Sequence, residues 1–130
     1  MNSLLVDTSA YSAFMRGHAE VVQEMRAASL LYMSPIVLGE LHAGFAAGDK
    51  RETNEAELQE FLDSPRIRMM SIEEETSVFY ATIYAGLRKA GTPIPTNDLW
   101  IAAGAMQHGL VVLTQDRHFV NVAQIIVNLK

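Results

Sequence analysis

The sequence contains no cysteine, and this absence excludes several classes of protein. Without thiols there is no disulfide framework, no thiolate metal site and no cysteine nucleophile. Long apolar runs are also missing: stretches such as residues 110–113 fall far short of the ~20 residues that a membrane-spanning helix needs. Residues 1–7 lack a basic segment and reach a charge at Asp7, which is not typical of a signal peptide. We therefore expect a cytoplasmic protein that does not associate with membranes.

Basic residues are scarce, with ten lysines and arginines against fifteen acids and a net charge of −5. Such a balance argues against a nucleic-acid partner. The charge is unevenly spread, however, because residues 49–75 contain nine acids and four bases and thus carry the whole excess. The remaining residues are neutral overall, so the net charge neither excludes nor demands a polyanionic substrate.

The length of 130 residues and the 49% of hydrophobic residues predict one folded domain, residues 1–130, with a substantial core. Short apolar runs predict strands at residues 3–7, 30–34, 67–70 and 111–114, with a possible fifth at 125–127. Helical patterns lie between them, at residues 8–15, 19–28, 35–47, 51–62, 73–90 and 97–109, the last with Asn97 as its cap. This alternation predicts an α/β fold with a mostly parallel sheet covered on both faces.

Four carboxylates stand in apolar surroundings where acids are unusual. Asp7 ends the first strand, and Asp116 follows the strand at 111–114. Glu40 lies in a nearly uncharged helix, and Asp98 lies in the first turn of another. Because parallel strands end at the same edge of a sheet, and ligand sites lie beyond that edge, all four are expected to converge there.

Convergence of four carboxylates has an electrostatic cost. Two unit charges 4 Å apart repel by about 4 kcal/mol at an effective dielectric constant of about 20. Such a cluster has to bind protons or a cation, and ligands that are all oxygen favour Mg²⁺ or Mn²⁺ over Zn²⁺. A divalent cation held this way assists phosphodiester hydrolysis by activating water and stabilising the leaving oxygen.

Each acid also has a structural interpretation that involves no metal. Asp7 could cap the helix that begins at Thr8. Asp98 could interact favourably with the positive end of the dipole of its own helix. Asp116 could be an ordinary turn residue paired with Arg117. A single metal site is favoured because it explains all four acids at once.

The chain resembles the PIN-domain nucleases, and among them the VapC-type toxins of bacterial and archaeal toxin–antitoxin pairs. The likeness covers nearly the whole chain in order, and its most specific part is Asn97-Asp98 through Ala103. The matching stretches are residues 5–9, 34–41, 94–103 and 111–119.

The resemblance implies a three-layer α/β/α sandwich with a central sheet of four to five strands, and cleavage of RNA with Mg²⁺ or Mn²⁺. It also implies a homodimer and a cognate antitoxin protein whose C-terminal segment wraps the toxin. The four acids of the family fall on Asp7, Glu40, Asp98 and Asp116. Its supporting hydroxyls fall on Thr8, Ser9 and Thr114, next to a further supporting residue, Asn97. Some relatives carry another acid near the fourth motif, where this chain has His118.

These observations lead to a mechanistic hypothesis. Asp7, Asp98 and Asp116 hold the cation, and Glu40 holds a water or acts as its base. Arg16 and Arg117 flank the motifs in loops and are the candidates for phosphate contacts, and His118 is a further candidate for contact with RNA. Two alternatives stay open: a PIN-like nuclease of RNA processing or of DNA, and a non-catalytic metal-binding interaction module.

Overall fold

The central element of the computed structural model, which describes residues 3–130, is a five-stranded parallel sheet. Residues 1 and 2 of the N-terminal stretch lie outside the described residues. The strands occur in the order β3-β2-β1-β4-β5. They are β1 (Ser3–Val6), β2 (Leu30–Met33), β3 (Ile67–Met69), β4 (Val111–Thr114) and β5 (Ile126–Leu129).

Six α-helices connect these strands, and their bounds agree with the sequence prediction to within a residue or two. They are α1 (Thr8–Met15), α2 (Ala19–Ala27), α3 (Pro35–Ala47), α4 (Arg51–Leu62), α5 (Glu74–Ala90) and α6 (Thr96–His108). Helices α1–α4 contact one another, and α5 contacts α6. Right-handed crossovers, the rule for parallel strands, put these two groups on opposite faces of a sheet with this strand order. The α/β fold with three layers and a parallel sheet is therefore confirmed.

Local sequence accounts for several helix ends. The Ser34 side chain accepts a hydrogen bond from the Ile36 amide, and Pro35 occupies the first position of α3, where its missing N–H costs nothing. Helix α6 ends at Gly109, which adopts the left-handed conformation (φ 65°) that favours glycine.

The start of α6 corrects one prediction. Asn97 is not the cap of this helix: the N-cap is Pro95, and α6 begins at Thr96. Asn97 instead directs its side-chain amide away from the helix, to a carboxylate on α3. Proline fits the position before the helix because its backbone lacks an N–H that would need a partner.

A short 3₁₀ helix, η1 (Arg117–Asn121), follows β4 and was not predicted. It is anchored by Phe119, which is fully buried. The sequence pattern predicted β4 correctly, but two adjacent apolar residues in five, Phe119 and Val120, give no helical periodicity for η1. Because η1 begins directly after the acid-bearing turn, it decides where the side chains of that turn point.

The strand order reverses at β1, since β2 pairs with one side of it and β4 with the other. Ligand sites of open α/β sheets lie beyond the carboxyl ends of the strands at such a switch point. The register places Val6 beside Leu113, and the Asp7 amide then donates to the Leu113 carbonyl at 3.1 Å. The next residues on these strands, Asp7 and Thr114, therefore lie side by side at the reversal.

No helix within residues 3–130 combines the length and apolarity that crossing a membrane requires.

Candidate metal centre

Asp7 is a buried carboxylate, 4% exposed, held by hydroxyl groups. Its Oδ2 accepts hydrogen bonds from Thr114 Oγ1 at 2.7 Å and from Ser9 Oγ at 2.9 Å. Asp7 occupies the N-cap position of α1, but it makes no side-chain cap hydrogen bond there. Its carboxylate is instead held from two elements, by Ser9 in the first turn of α1 and by Thr114 at the end of β4.

The two hydroxyls are themselves fixed by the turn after β4. Ser9 Oγ accepts from the Gln115 amide at 3.0 Å, and Thr114 Oγ1 accepts from the Asp116 amide at 2.8 Å. Each hydroxyl oxygen thus accepts a hydrogen bond from a backbone N–H, and each hydroxyl donates one to Asp7. The accepted bonds fix the orientation of both donors. The arrangement joins the start of α1 to the end of β4 through Asp7.

Glu40 reaches the same edge from α3. Its Oε1 accepts from Thr8 Oγ1 at 2.5 Å, and its Oε2 accepts from Asn97 Nδ2 at 3.1 Å. One carboxylate oxygen is thereby tied to α1 and the other to α6. These contacts explain why a charged residue is found in an otherwise apolar helix.

Asp98 is buried, and its side chain is only 11% exposed. The His118 ring nitrogen Nδ1 lies 3.1 Å from Asp98 Oδ2 and 2.9 Å from Asp116 Oδ1. Asp116 is more open, with a side chain 32% exposed, and its Oδ1 also accepts from the His118 amide at 2.9 Å. The site therefore opens to solvent on the side of Asp116 and His118.

The electrostatics show that the four acids share one neighbourhood. Burial raises the pKa of Asp7 despite the hydrogen bonds from Thr114 and Ser9, and the Glu40 charge raises it further. Burial is also the main cause that raises the pKa of Asp98 to about 6, with repulsion from Asp7 and Asp116 added to it. Repulsion consequently links Glu40 to Asp7, Asp7 to Asp98, and Asp98 to Asp116.

No lysine or arginine among residues 3–130 forms an ion pair with any of these four acids. Within the described chain the ion pairs of these acids are those of His118 with Asp98 and Asp116, and a single imidazole cannot neutralise four carboxylates. Carboxylate oxygens without a basic partner are the ligands that Mg²⁺ and Mn²⁺ prefer. The donor set of Asp7, Glu40, Asp98 and Asp116 thus fits a hard divalent cation.

The other predicted residues lie at or near this edge. Thr8, Ser9, Asn97 and Thr114 each hydrogen-bond one of the acids, as described above. Arg16 is exposed at the end of α1 and donates to Gln115 Oε1 at 3.4 Å, one residue from Asp116. Arg117 is exposed as the first residue of η1, and no ion pair joins it to Asp116 within the described chain.

Sequence reasoning gave His118 only a possible contact with RNA, whereas the structure brings its ring between two of the acids. The signal that could have found it is its position two residues after Asp116. A strand-end acid followed by a tight turn brings the second residue back towards the sheet edge. The buried Phe119 next to it then fixes that turn.

Comparison with known proteins places the chain among related sequences. The family model of the PIN domain matches residues 4–125. Ribonuclease VapC4 of Mycobacterium tuberculosis is 34% identical over 87 residues, which are 67% of each chain. Plasmid stability protein StbB of Pseudomonas syringae pv. tomato is 33% identical over 122 residues, which are 87% of each chain.

Solved structures share the fold. DNA-bound VapBC from Salmonella typhimurium has a TM-score of 0.82 at 26% identity and covers 98% of both chains. VapBC2 from Rickettsia felis, bound to a DNA fragment from its promoter, has a TM-score of 0.86 at 22% identity, with 97% of both chains covered. The second likeness concerns the fold alone.

Proposed function

The chain belongs to the PIN-domain family as a VapC-type member, and on that premise we propose that it is a metal-dependent endoribonuclease. In this proposal it is the toxin of a type II toxin–antitoxin pair. The observation that carries the proposal is the convergence of four carboxylates at the switch point of the sheet, with no lysine or arginine of residues 3–130 paired to them. Two relatives are named ribonucleases, and this supports RNA as the substrate.

Asp7, Asp98 and Asp116 are the proposed ligands of a Mg²⁺ or Mn²⁺ ion, with Glu40 beside them. When bound, the cation neutralises the carboxylates, polarises the scissile phosphate and favours ionisation of the attacking water. Ser9 and Thr114 orient Asp7 by donating to Oδ2, and their hydrogen bonds partly offset the rise in its pKa that burial causes. The buried position of Asp7 and Asp98 keeps these charges away from screening by bulk water.

Glu40 is the proposed proton acceptor for the attacking water. Thr8 and Asn97 hold its two oxygens from opposite sides, so its carboxylate has a defined orientation. Glu40 is less buried than Asp7 and Asp98, which leaves it accessible to water. A carboxylate that is fixed in position and accessible to solvent is suited to removing a proton from an attacking water.

Arg16 and Arg117 are the proposed phosphate contacts. Both are exposed, and Arg16 is tied to Gln115 beside the site, whereas Arg117 begins the helix that follows Asp116. Guanidinium groups beside an acidic centre attract the polyanion that the acids alone would repel. We further propose a cytoplasmic homodimer neutralised by a cognate antitoxin, in keeping with the VapBC complexes that share the fold.

The direct test is incubation of the purified chain with RNA in the presence of Mg²⁺, Mn²⁺ or EDTA. Cleavage with either cation and none with EDTA is expected. The Asp98→Asn variant should be inactive, and Asp63→Asn, an exposed acid at the end of α4, should match the native chain. Full activity of Asp98→Asn would reject the site.

The same experiment separates the alternative functions. Cleavage of DNA in place of RNA would indicate a different PIN nuclease. Metal binding without cleavage of either polymer would indicate a non-catalytic module. Growth arrest on expression of the native chain but not of Asp7→Asn would support the role of toxin.

A further inference from the structure

The ring of His118 occupies the space between two of the proposed ligands. Its Nδ1 lies 2.9 Å from Asp116 Oδ1 and 3.1 Å from Asp98 Oδ2. Of the residues that the structure describes, Asp98, Asp116 and His118 form a group of potential ligands whose atoms all lie within 4.8 Å of one another. The His118 side chain is 50% exposed, so it is not placed there by burial of the ring.

The backbone, and not the ring, accounts for this placement. The His118 amide donates to Asp116 Oδ1, and the neighbouring Phe119 is fully buried. These two contacts hold residue 118 over the site at the start of η1. The ring nitrogen nearest the acids is consequently presented by a hydrogen-bonded turn whose next residue is anchored in the core.

The distances from His118 Nδ1 to the two carboxylate oxygens are those of neighbouring metal ligands. Adjacent ligands of an octahedral ion with bonds of about 2.1 Å are separated by about 3.0 Å. The two distances from Nδ1 match that value. A hydrogen bond from Nδ1–H gives the same spacing, so the two arrangements differ in whether Nδ1 carries a proton or a lone pair.

We propose that His118 is a nitrogen ligand of the divalent cation through Nδ1, so that this site prefers Mn²⁺ to Mg²⁺. The inference rests on the proposed function, because it adds one ligand to the same centre. Mg²⁺ is a hard ion that favours oxygen, whereas imidazole nitrogen suits transition-metal ions. A centre of carboxylates plus one imidazole is thus less favourable to Mg²⁺ than carboxylates alone.

The test uses the full-length chain loaded with Mn²⁺ and reads the ligand nuclei by pulsed electron paramagnetic resonance. The native protein should show hyperfine coupling to a directly bound ¹⁴N, and labelling the histidines with ¹⁵N should replace that signal. His118→Ala should lose it. His42→Ala is the matched control, since His42 Nδ1 also contacts a carboxylate, on Glu55 at 2.8 Å, but that pair includes none of the proposed metal ligands.

Affinities supply a second readout that is independent of cleavage. Titration calorimetry should show Mn²⁺ binding weakened by at least about 10-fold in His118→Ala, with Mg²⁺ binding changed much less. Equal losses for both metals, or a native protein without ¹⁴N coupling, would overturn the inference. The measurement on the native chain needs no variant, so poor folding of His118→Ala would not block it.

Failure of this inference is distinguishable from failure of the proposed function. If Mn²⁺ binds, depends on Asp98 and shows no nitrogen coupling, the metal centre stands and His118 is only a hydrogen-bond donor. If Mn²⁺ and Mg²⁺ do not bind the native chain, both the centre and the ligand assignment are wrong.

Discussion

The two ends of the central sheet differ in whether a side chain of the protein supplies a positive charge to the polar groups there. At the amino ends of β2 and β3, Arg66 donates through Nη2 to the carbonyls of Met25 and Ala28, so the chain supplies its own cation. At the carboxyl ends, four acids converge and no lysine or arginine of the described chain pairs with them. In the proposed function, the first end has a structural role and the second end binds the cation.

The largest effect should come from removing one ligand at the carboxyl end. Asp98→Asn keeps the shape of the side chain but removes its charge, so RNA cleavage should fall by at least about 100-fold. The unfolding free energy without metal should stay the same or rise, because repulsion from Asp7 and Asp116 is relieved. Cleavage assays and thermal melts in EDTA measure both. Loss of cleavage accompanied by loss of the fold would contradict this explanation.

The charge deficit at the carboxyl end also predicts a pH dependence of stability. The pKa of Asp98 is raised from 3.8 to about 6 by burial first and then by its acidic neighbours. A carboxyl whose pKa is raised by folding binds its proton more tightly in the folded state. Its contribution to stability is therefore fully present below the unfolded pKa and is lost as the pH rises through the folded pKa of about 6. Without metal, the native chain should therefore lose roughly 2 kcal/mol of stability relative to Asp98→Asn between pH 4 and 7.

Chemical denaturation at several pH values in EDTA measures this difference. Saturating Mn²⁺ should reverse the trend, because the cation binds the ionised carboxylate. If the unfolding free energies of the native chain and of Asp98→Asn change equally between pH 4 and 7, the repulsion is relieved in some other way.

At the amino end the expected effect is on stability alone. Arg66→Met removes the hydrogen bonds to two carbonyls, which should cost about 2 kcal/mol. The melting temperature should then fall by roughly 5–10 °C, with cleavage per folded molecule unchanged. Arg68→Met is the matched control, because this exposed guanidinium contacts only the nearby Pro65 and Ile67 carbonyls. A comparable fall in the melting temperature of Arg68→Met would show that the hydrogen bonds of Arg66 do not stabilise the fold more than those of Arg68.

The smallest effect should come from the residues that orient Glu40. Asn97→Ala removes the donor to Glu40 Oε2, and cleavage should slow by about 10-fold while metal affinity is nearly unchanged. Thr96→Ala changes the exposed neighbour and should leave the rate unaffected. The rates under saturating metal separate the two variants. An Asn97→Ala protein as fast as the native chain would mean that Thr8 alone positions Glu40.

The apolar strands and the helices between them could be predicted because their patterns are local. The same is true of Asp7 and Glu40, whose charges stand out against apolar neighbours in the chain. Asn97 was assigned to a cap because its local sequence fits one, yet its partner is Glu40, 57 residues away. The position of His118 two residues after Asp116 is a local signal, but where its ring lies depends on η1 and on how Phe119 packs in the core.

The sequence by itself determined the order of strands and helices and which acids are out of place, because hydrophobic periodicity and isolated charges are properties of neighbouring residues. Tertiary structure alone decided which donors hold each carboxylate and that an imidazole lies between Asp98 and Asp116. Those contacts join residues far apart in the chain, and their geometry follows from strand register, crossovers and core packing. No local pattern encodes distances of that kind.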